Sequence, residues 1–395
     1  MAAKIEFFPV DNGDMTLVTL ESGRTILIDV NIRQRADDDK DNDAVDVASL
    51  LRARLQRDTN NRLYVDAFLL SHPDEDHCRG LTRHFHLGKA GEWSAKDDKI
   101  LIREMWSSPI VFRRAKDIQG AVCADAAAWW VEARRRVKTF VAAANKAGIA
   151  DGERIQVLGE DRDGKTDDLT DILVKSGSDI TKIGGKVDGT FRGRLLSPQL
   201  VSKEDAEKLT GKNQASVVTR FNIRGGGNDD ACLFLTGGDA EVESWERIWS
   251  RTKHQISSLQ YNLLQAPHHC SWRSLSEDSW SDLGEHAVAS SEARSALGQA
   301  LAGAYIVSSS KEIIDDDDDP PCIRAKREYE SIVKGVSGSF LCTADECEDD
   351  VLLFEITADG PKPGKKGSGS SGEKLRASVT SEPRMADKQG GGRYA

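Results

Sequence analysis

The alternation of apolar and polar positions divides the chain into short β-type runs followed by alternating strand and helix. Lys4–Val10, Met15–Leu20 and Thr25–Val30 are three apolar runs separated by Asn12-Gly13-Asp14 and Ser22-Gly23. Such turn residues between β-type runs predict hairpins. Ala44–Leu55 carries apolar residues at helical spacing, and Val65–Leu70 reads as a buried strand. Gly80–Leu87 predicts a helix, Lys99–Met105 a strand, and Ala124–Ala147 a helix with Trp129, Trp130, Ala133, Val137 and Phe140 on one face. The stretch 106–190 includes a Gly- and Asp-rich part from about 150 with little pattern, and predicts an insertion or lid over a site.

Strand patterns return at Phe191–Ser197, Ser216–Ile223 and Ala231–Thr236. They alternate from there with helical ones: Glu241–Arg251 helix, Tyr261–Ala266 strand, Ser281–Leu301 helix, Ala304–Ser308 strand and Ala325–Val333 helix. Ser339–Cys342 and Val351–Ile356 read as closing strands. The order predicts a layered α/β domain with helices outside, over residues 1–360. Residues 361–395, with eight basic and three acidic side chains and no apolar period, predict a flexible basic tail.

Composition narrows the class. No run of 18 or more apolar residues occurs, so no membrane-spanning helix is expected. The seven cysteines have no CxxC spacing, and the N-terminus lacks a signal-peptide pattern, which predicts a reduced, cytoplasmic protein. A net charge of −11 argues against broad nucleic-acid binding, which rests on neutralising phosphates.

The chemistry concentrates at strand ends. Ser71-His72-Pro73-Asp74-Glu75-Asp76-His77 follows the strand Val65–Leu70. Gly237-Gly238-Asp239 follows Ala231–Thr236, and Pro267-His268-His269-Cys270-Ser271 follows Tyr261–Ala266. Imidazoles and carboxylates from separate strand tips can converge on a divalent metal. His84 and His86, on the predicted helix after the first cluster, read as packing or surface residues. Trp129 and Trp130 read as core, with Arg134, Arg135 and Arg136 as a solvated face.

Taken together these motifs resemble the metallo-β-lactamase superfamily, and within it the hydrolase-like domain of ComEC-type DNA-uptake proteins and its stand-alone relatives. Phe8-Pro9-Val10-Asp11-Asn12-Gly13-Asp14 and Ile26-Leu27-Ile28-Asp29 resemble the family opening. His72-Pro73-Asp74-Glu75-Asp76-His77 resembles its HxHxDH signature, with Asp74 in place of a histidine. The resemblance implies a four-layer αββα sandwich. It also implies one or two divalent ions, Zn or Mn: His72 and Asp74 at a first position, Asp76, His77 and His269 at a second, and Asp239 bridging. Asp76 and His268 would be catalytic, with His268 facing substrate; no substrate-binding residues are assigned.

The activity implied is that of a metal-dependent phosphodiesterase or nuclease using activated water. A hydrolase of esters, thioesters or lactones is an alternative. So is a non-catalytic subunit of a multi-protein, defence-type system. Two departures stand out: Ser197 occupies a strand end where the superfamily often has a histidine, and Asp319 lies near the place of a late histidine. Glu241 is a further residue placed to reach the site.

Overall fold

The computed structural model describes residues 1–34, 44–112, 122–161, 164–200 and 213–364. Most of the expected tail falls on 365–395, outside the described residues.

Two mixed sheets carry the fold. The first is ordered Leu173–Val174, Arg154–Leu158, Ile100–Ser107, Leu63–Leu70, Thr25–Ile28, Thr16–Thr19, Ala3–Phe7, Leu352–Thr357, Gly360–Pro363. The second is ordered Asp179–Ile180, Phe191–Ser197, Val218–Gly225, Asn228–Thr236, Tyr261–Gln265, Ala300–Ser308, Ser339–Cys342. In these orders the first sheet is parallel as far as Thr25–Ile28 and antiparallel beyond it, and the second is antiparallel as far as Asn228–Thr236 and parallel beyond it. Parallel neighbours require crossovers, and the helices Val47–Arg54, Ala124–Ala142, Val242–Thr252 and Ile323–Lys334 provide them.

Period-two alternation sorts the side chains. In Leu63–Leu70, Ala67 and Leu69 face one core while Phe68 and Leu70 face another. The core between the sheets joins Ile5, Phe7, Val18 and Ile26 of the first sheet to Phe221, Phe234, Leu263 and Val307 of the second. Phe7 meets Phe234 edge-on, with ring centroids 5.9 Å apart. Outside the first sheet, Leu51 and Trp129 pack on Phe68; outside the second, Trp245 and Tyr329 pack in one cluster with Leu264 and Ile306. The protein is thus a mixed α/β sandwich with helices against the outer faces of its sheets.

Four expectations change. Part of the stretch 106–190 is built into the first sheet. Arg154–Leu158 pairs in parallel with Ile100–Ser107, and Ala124–Ala142 buries Trp129 and Trp130 as the crossover between them. The apolar face of that helix closes the first core. Arg136 is not on a solvated face; it is fully buried, 2.7 Å from Glu132, and donates to the Ile102 carbonyl at 3.1 Å. The helix expected over Ser281–Leu301 is broken. Trp280–Leu283 stops at Gly284, whose φ is +52°, and a new helix Ser291–Leu297 starts from the Ser290 cap, so Ala300 begins a strand. At the other end, Gly360–Pro363 pairs with Leu352–Thr357, so regular structure runs past residue 360.

No helix among the described residues is long and apolar enough to cross a membrane.

Candidate metal centre

All three sequence clusters emerge on one edge. Asp29 follows Thr25–Ile28, His72 to His77 follow Leu63–Leu70, Asp239 follows Asn228–Thr236, and His268-His269 follow Tyr261–Gln265. Asp14 precedes Thr16–Thr19, which runs antiparallel to its neighbours, so it reaches the same edge. The carboxyl ends of parallel strands are where such sheets build sites.

Close backbone approach makes the convergence tight. A Cβ on Gly238 would lie 2.5 Å from Ser71 Oγ, and one on Gly13 would lie 2.8 Å from the Asp76 carbonyl. Gly238 lets Asp239 lie against Ser71 and His72. His268, His269 and Cys270 all adopt positive φ (52°, 51° and 67°). Left-handed backbone costs about 1–2 kcal/mol per non-glycine residue. Here it is held by His268 N–H donating to the Gly238 carbonyl at 2.9 Å and Cys322 N–H donating to the Cys270 carbonyl at 3.0 Å.

Asp14, His77, Asp239 and His269 form a buried group whose ligand atoms all lie within 4.8 Å of one another, and it can hold a divalent metal ion. Asp239 organises it. Its Oδ1 is 2.9 Å from His77 Nε2 and 3.4 Å from His269 Nε2. Its Oδ2 is 3.3 Å from His72 Nε2 and 3.5 Å from His268 Nε2. One carboxylate therefore presents each oxygen to a different pair of imidazoles. Asp76 Oδ2 joins the first pair, 3.3 Å from His269 Nε2, and Asp74 Oδ2 lies 3.7 Å from His72 Nε2.

The spacing fits a metal. Four donors at about 2.0–2.1 Å from one ion in a tetrahedron stand about 3.3–3.4 Å apart. His77 Nε2 and His269 Nε2 are 3.2 Å apart. His72 Nε2 and Asp239 Oδ1 are buried without a hydrogen-bond partner despite these close neighbours. Buried polar atoms without a partner are costly unless a further group satisfies them.

The hydrogen bonds behind the rings set their tautomers. Asp29 accepts from the Ser71 N–H at 2.7 Å and from the Ser71 hydroxyl, and its Oδ2 lies 2.8 Å from His77 Nδ1. His77 then donates Nδ1–H to Asp29 and leaves Nε2 free. Since Ser71 has spent its proton on Asp29, its oxygen accepts from His72 Nδ1 at 3.1 Å, which frees His72 Nε2 too. Asp14, which also belongs to the four-residue group, lies 3.3 Å from His269 Nδ1. Carboxylates behind ligating histidines orient them and raise their basicity.

Electrostatics agree. Burial alone would lower the His77 imidazole, but Asp239, Asp29 and Asp76 hold it well above its usual value. Burial likewise opposes protonation of His269, yet Asp239 and Asp14 push it up to about 10. Against the same burial, the surrounding histidines hold Asp239 well below the usual carboxylate range, and His77 and His269 lower Asp76. The cluster demands positive charge, which protons supply when no cation is present.

The structure brings together His72, Asp74, Asp76, His77, Asp239, His268 and His269. The His268 ring, the more exposed of the two, sits with His72 on Asp239 Oδ2. Other residues turn away: Glu241 accepts from Asn213 at 3.0 Å, and Asp319 accepts from the Trp272 N–H at 3.0 Å. Cys78 donates to the Asp74 carbonyl, and His86 Nε2 lies 2.8 Å from the Lys89 carbonyl. Asp14 and Asp29 are the residues that motif reading left as punctuation. The signal available for both is a carboxylate at the very tip of a buried apolar run. No family model matches the chain, and none of the curated proteins matches it.

Proposed function

We propose that the protein is a metal-dependent hydrolase of the metallo-β-lactamase type, with an αββα sandwich, acting on phosphodiesters. The observation that carries this reading is Asp239: a buried carboxylate whose two oxygens face two separate imidazole pairs is suited to span two ions. His77, His269, Asp76 and Asp239 Oδ1 would hold one, and His72, Asp74 and Asp239 Oδ2 the other, with His268 beside it. Divalent ions there would supply Lewis acidity, lowering the pKa of a water and neutralising charge on a phosphoryl oxygen.

The chain's own residues do the rest. Asp29 and Ser71 engage the Nδ1 atoms of His77 and His72 and so aim their Nε2 atoms inward as the ligating nitrogens. His268, with a side chain 12% exposed against 0% for His72, His77 and His269, is the imidazole of the four placed to exchange a proton with a leaving oxygen. Asp74 adds a hard oxygen where a nitrogen would favour Zn, which supports Mn or a mixed pair.

The net charge of −11 disfavours a polyanion, which supports short or small phosphodiesters over long duplexes. Metal content tests the reading first. Purified protein supplemented with Mn or Zn should hold one to two ions per chain, and less than about one sinks the proposal. Metal-loaded protein should then cleave a generic phosphodiester, and Asp76→Ala with Asp239→Ala should abolish that cleavage.

A further inference from the structure

The second sheet carries a cluster of arginines that the metal centre does not use. Phe191–Ser197 and Val218–Gly225 are antiparallel, with Arg194 opposite Arg220 and Arg192 opposite Asn222. Period two puts these four on the outer face, since Phe191, Leu195, Phe221 and Ile223 enter the core between the sheets. Like charges directly across a pair of strands are destabilising. Two of the three guanidiniums have carboxylates: Arg194 lies 3.0 Å from Asp179 and Arg192 lies 3.9 Å from Asp230.

Arg220 has none among the described residues. It is only 8% exposed, its Nη1 reaches no closer than 3.4 Å to the Gln260 carbonyl, and its Nε is buried without a partner. Burial and the neighbouring Arg192 weaken its hold on its proton. A buried, unpaired guanidinium is costly, and a bound anion removes that cost.

Arg220 lines a cavity of about 390 Å³ together with Arg192, Arg194, Ser257, Ser258 and Gln260. The hydroxyls and amides add neutral donors. The volume, within the roughly 300–1,000 Å³ of small-molecule sites, exceeds one ion and leaves room for an organic group. Ser257, Ser258 and Gln260 precede Tyr261–Gln265, whose far end leads to His269, so the cavity lies at the end of the sheet away from the metal centre. Asp179 and Asp230 at the same cavity disfavour a polyanion.

We infer that this cavity is a second binding site, for a single phosphate group, either inorganic phosphate or a small phosphate monoester, held by the fork of Arg220 with Arg192 and Arg194 beside it. A planar guanidinium matches a phosphate bidentately, and the anion relieves the repulsion among the three arginines.

Calorimetric titration of the full-length, metal-loaded protein with inorganic phosphate and with a nucleoside monophosphate tests this. The parent should bind at the metal centre and at this cavity, and Asp239→Asn should keep one saturable site, which Arg220→Gln in that background should weaken by at least about tenfold, the loss of a charge-assisted hydrogen bond. In case Arg220→Gln disturbs folding, the more exposed pair Arg192→Gln with Arg194→Gln should weaken binding in the same direction while the circular-dichroism melt stays that of the parent. Tighter binding of the nucleotide makes the ligand a phosphate monoester; equal binding makes it the free ion. The inference is overturned if the parent binds neither ligand, if Asp239→Asn abolishes binding, if both arginine changes leave it intact, or if single-stranded DNA binds there in place of the small ligands.

Discussion

At the scale of the residue, Asp239 and Asp29 do different work, and mutation should separate them. Asp239→Asn removes one charge from both halves of the cluster, so bound metal should fall at both, whereas His268→Gln should cost at most one ion per chain. Metal analysis after gel filtration reads the difference. Asp29→Asn leaves the ligands in place but weakens the acceptor that fixes the His77 tautomer at 2.8 Å. Metal affinity should drop about 10- to 100-fold, as for other carboxylates behind ligating imidazoles, measured by competition with a chromophoric chelator.

Protonation also belongs to this scale. In the metal-free protein the folded value of His269 is raised to about 10, by Asp239 and Asp14 against its burial. Its contribution to stability is therefore complete below about 6.5, its unfolded value, and disappears as pH rises towards about 10. Asp76 and Asp239 are lowered, so their contribution is present above the ordinary carboxylate value and is lost as pH falls below it. Metal replaces the protons on the imidazoles, so affinity should rise with pH through the same alkaline window and binding should release protons. Titration in buffers of different ionisation enthalpy counts them.

At the scale of the element, strand ends and their turns decide the site. Gly238 has φ +48°, and the missing Cβ would meet both Ser71 Oγ and Ser71 Cβ, at 2.5 and 2.7 Å. Ser71 cannot yield, since Asp29 holds its N–H and hydroxyl. Gly238→Ala should destabilise by about 1–3 kcal/mol in urea unfolding and lower metal content as well.

The elements themselves were legible where one face is buried, because alternation then has a strong signal. Phe191–Ser197 and Ser339–Cys342 have the bounds their patterns predict. Ser281–Leu301 misled because Ala-rich, polar sequence is helix-compatible throughout, while Gly284 and the Ser290 cap broke it. Arg136 misled because charge suggests solvent, and only its Glu132 partner on the same helix makes burial tolerable.

At the scale of the whole molecule, the candidate centre sits across the joint between the sheets. Asp14, Asp29, His72 and His77 come from the first sheet, and Asp239, His268 and His269 from the second. A bound ion therefore ties the sheets together in the folded state only. Chelation should lower the melting temperature, and metal at a hundred times its Kd should restore about 2.7 kcal/mol, followed by calorimetry.

The sequence by itself determined the strand and helix order, the acidic character and the residue types at each strand tip, because these depend on local periodicity and covalent neighbours. It also showed His72, Asp74, Asp76, His77, Asp239, His268 and His269 as candidates. Only the tertiary structure decided that the stretch after Trp106 extends the first sheet, since parallel pairing is non-local. It alone decided that Asp29 stands behind His77, that Asp14 lies beside His269, that His268 shares an oxygen with His72, and that Arg220 lies buried without a carboxylate. Each of these is a distance between residues far apart in the chain, set by how two sheets pack, and no periodicity along the chain encodes it.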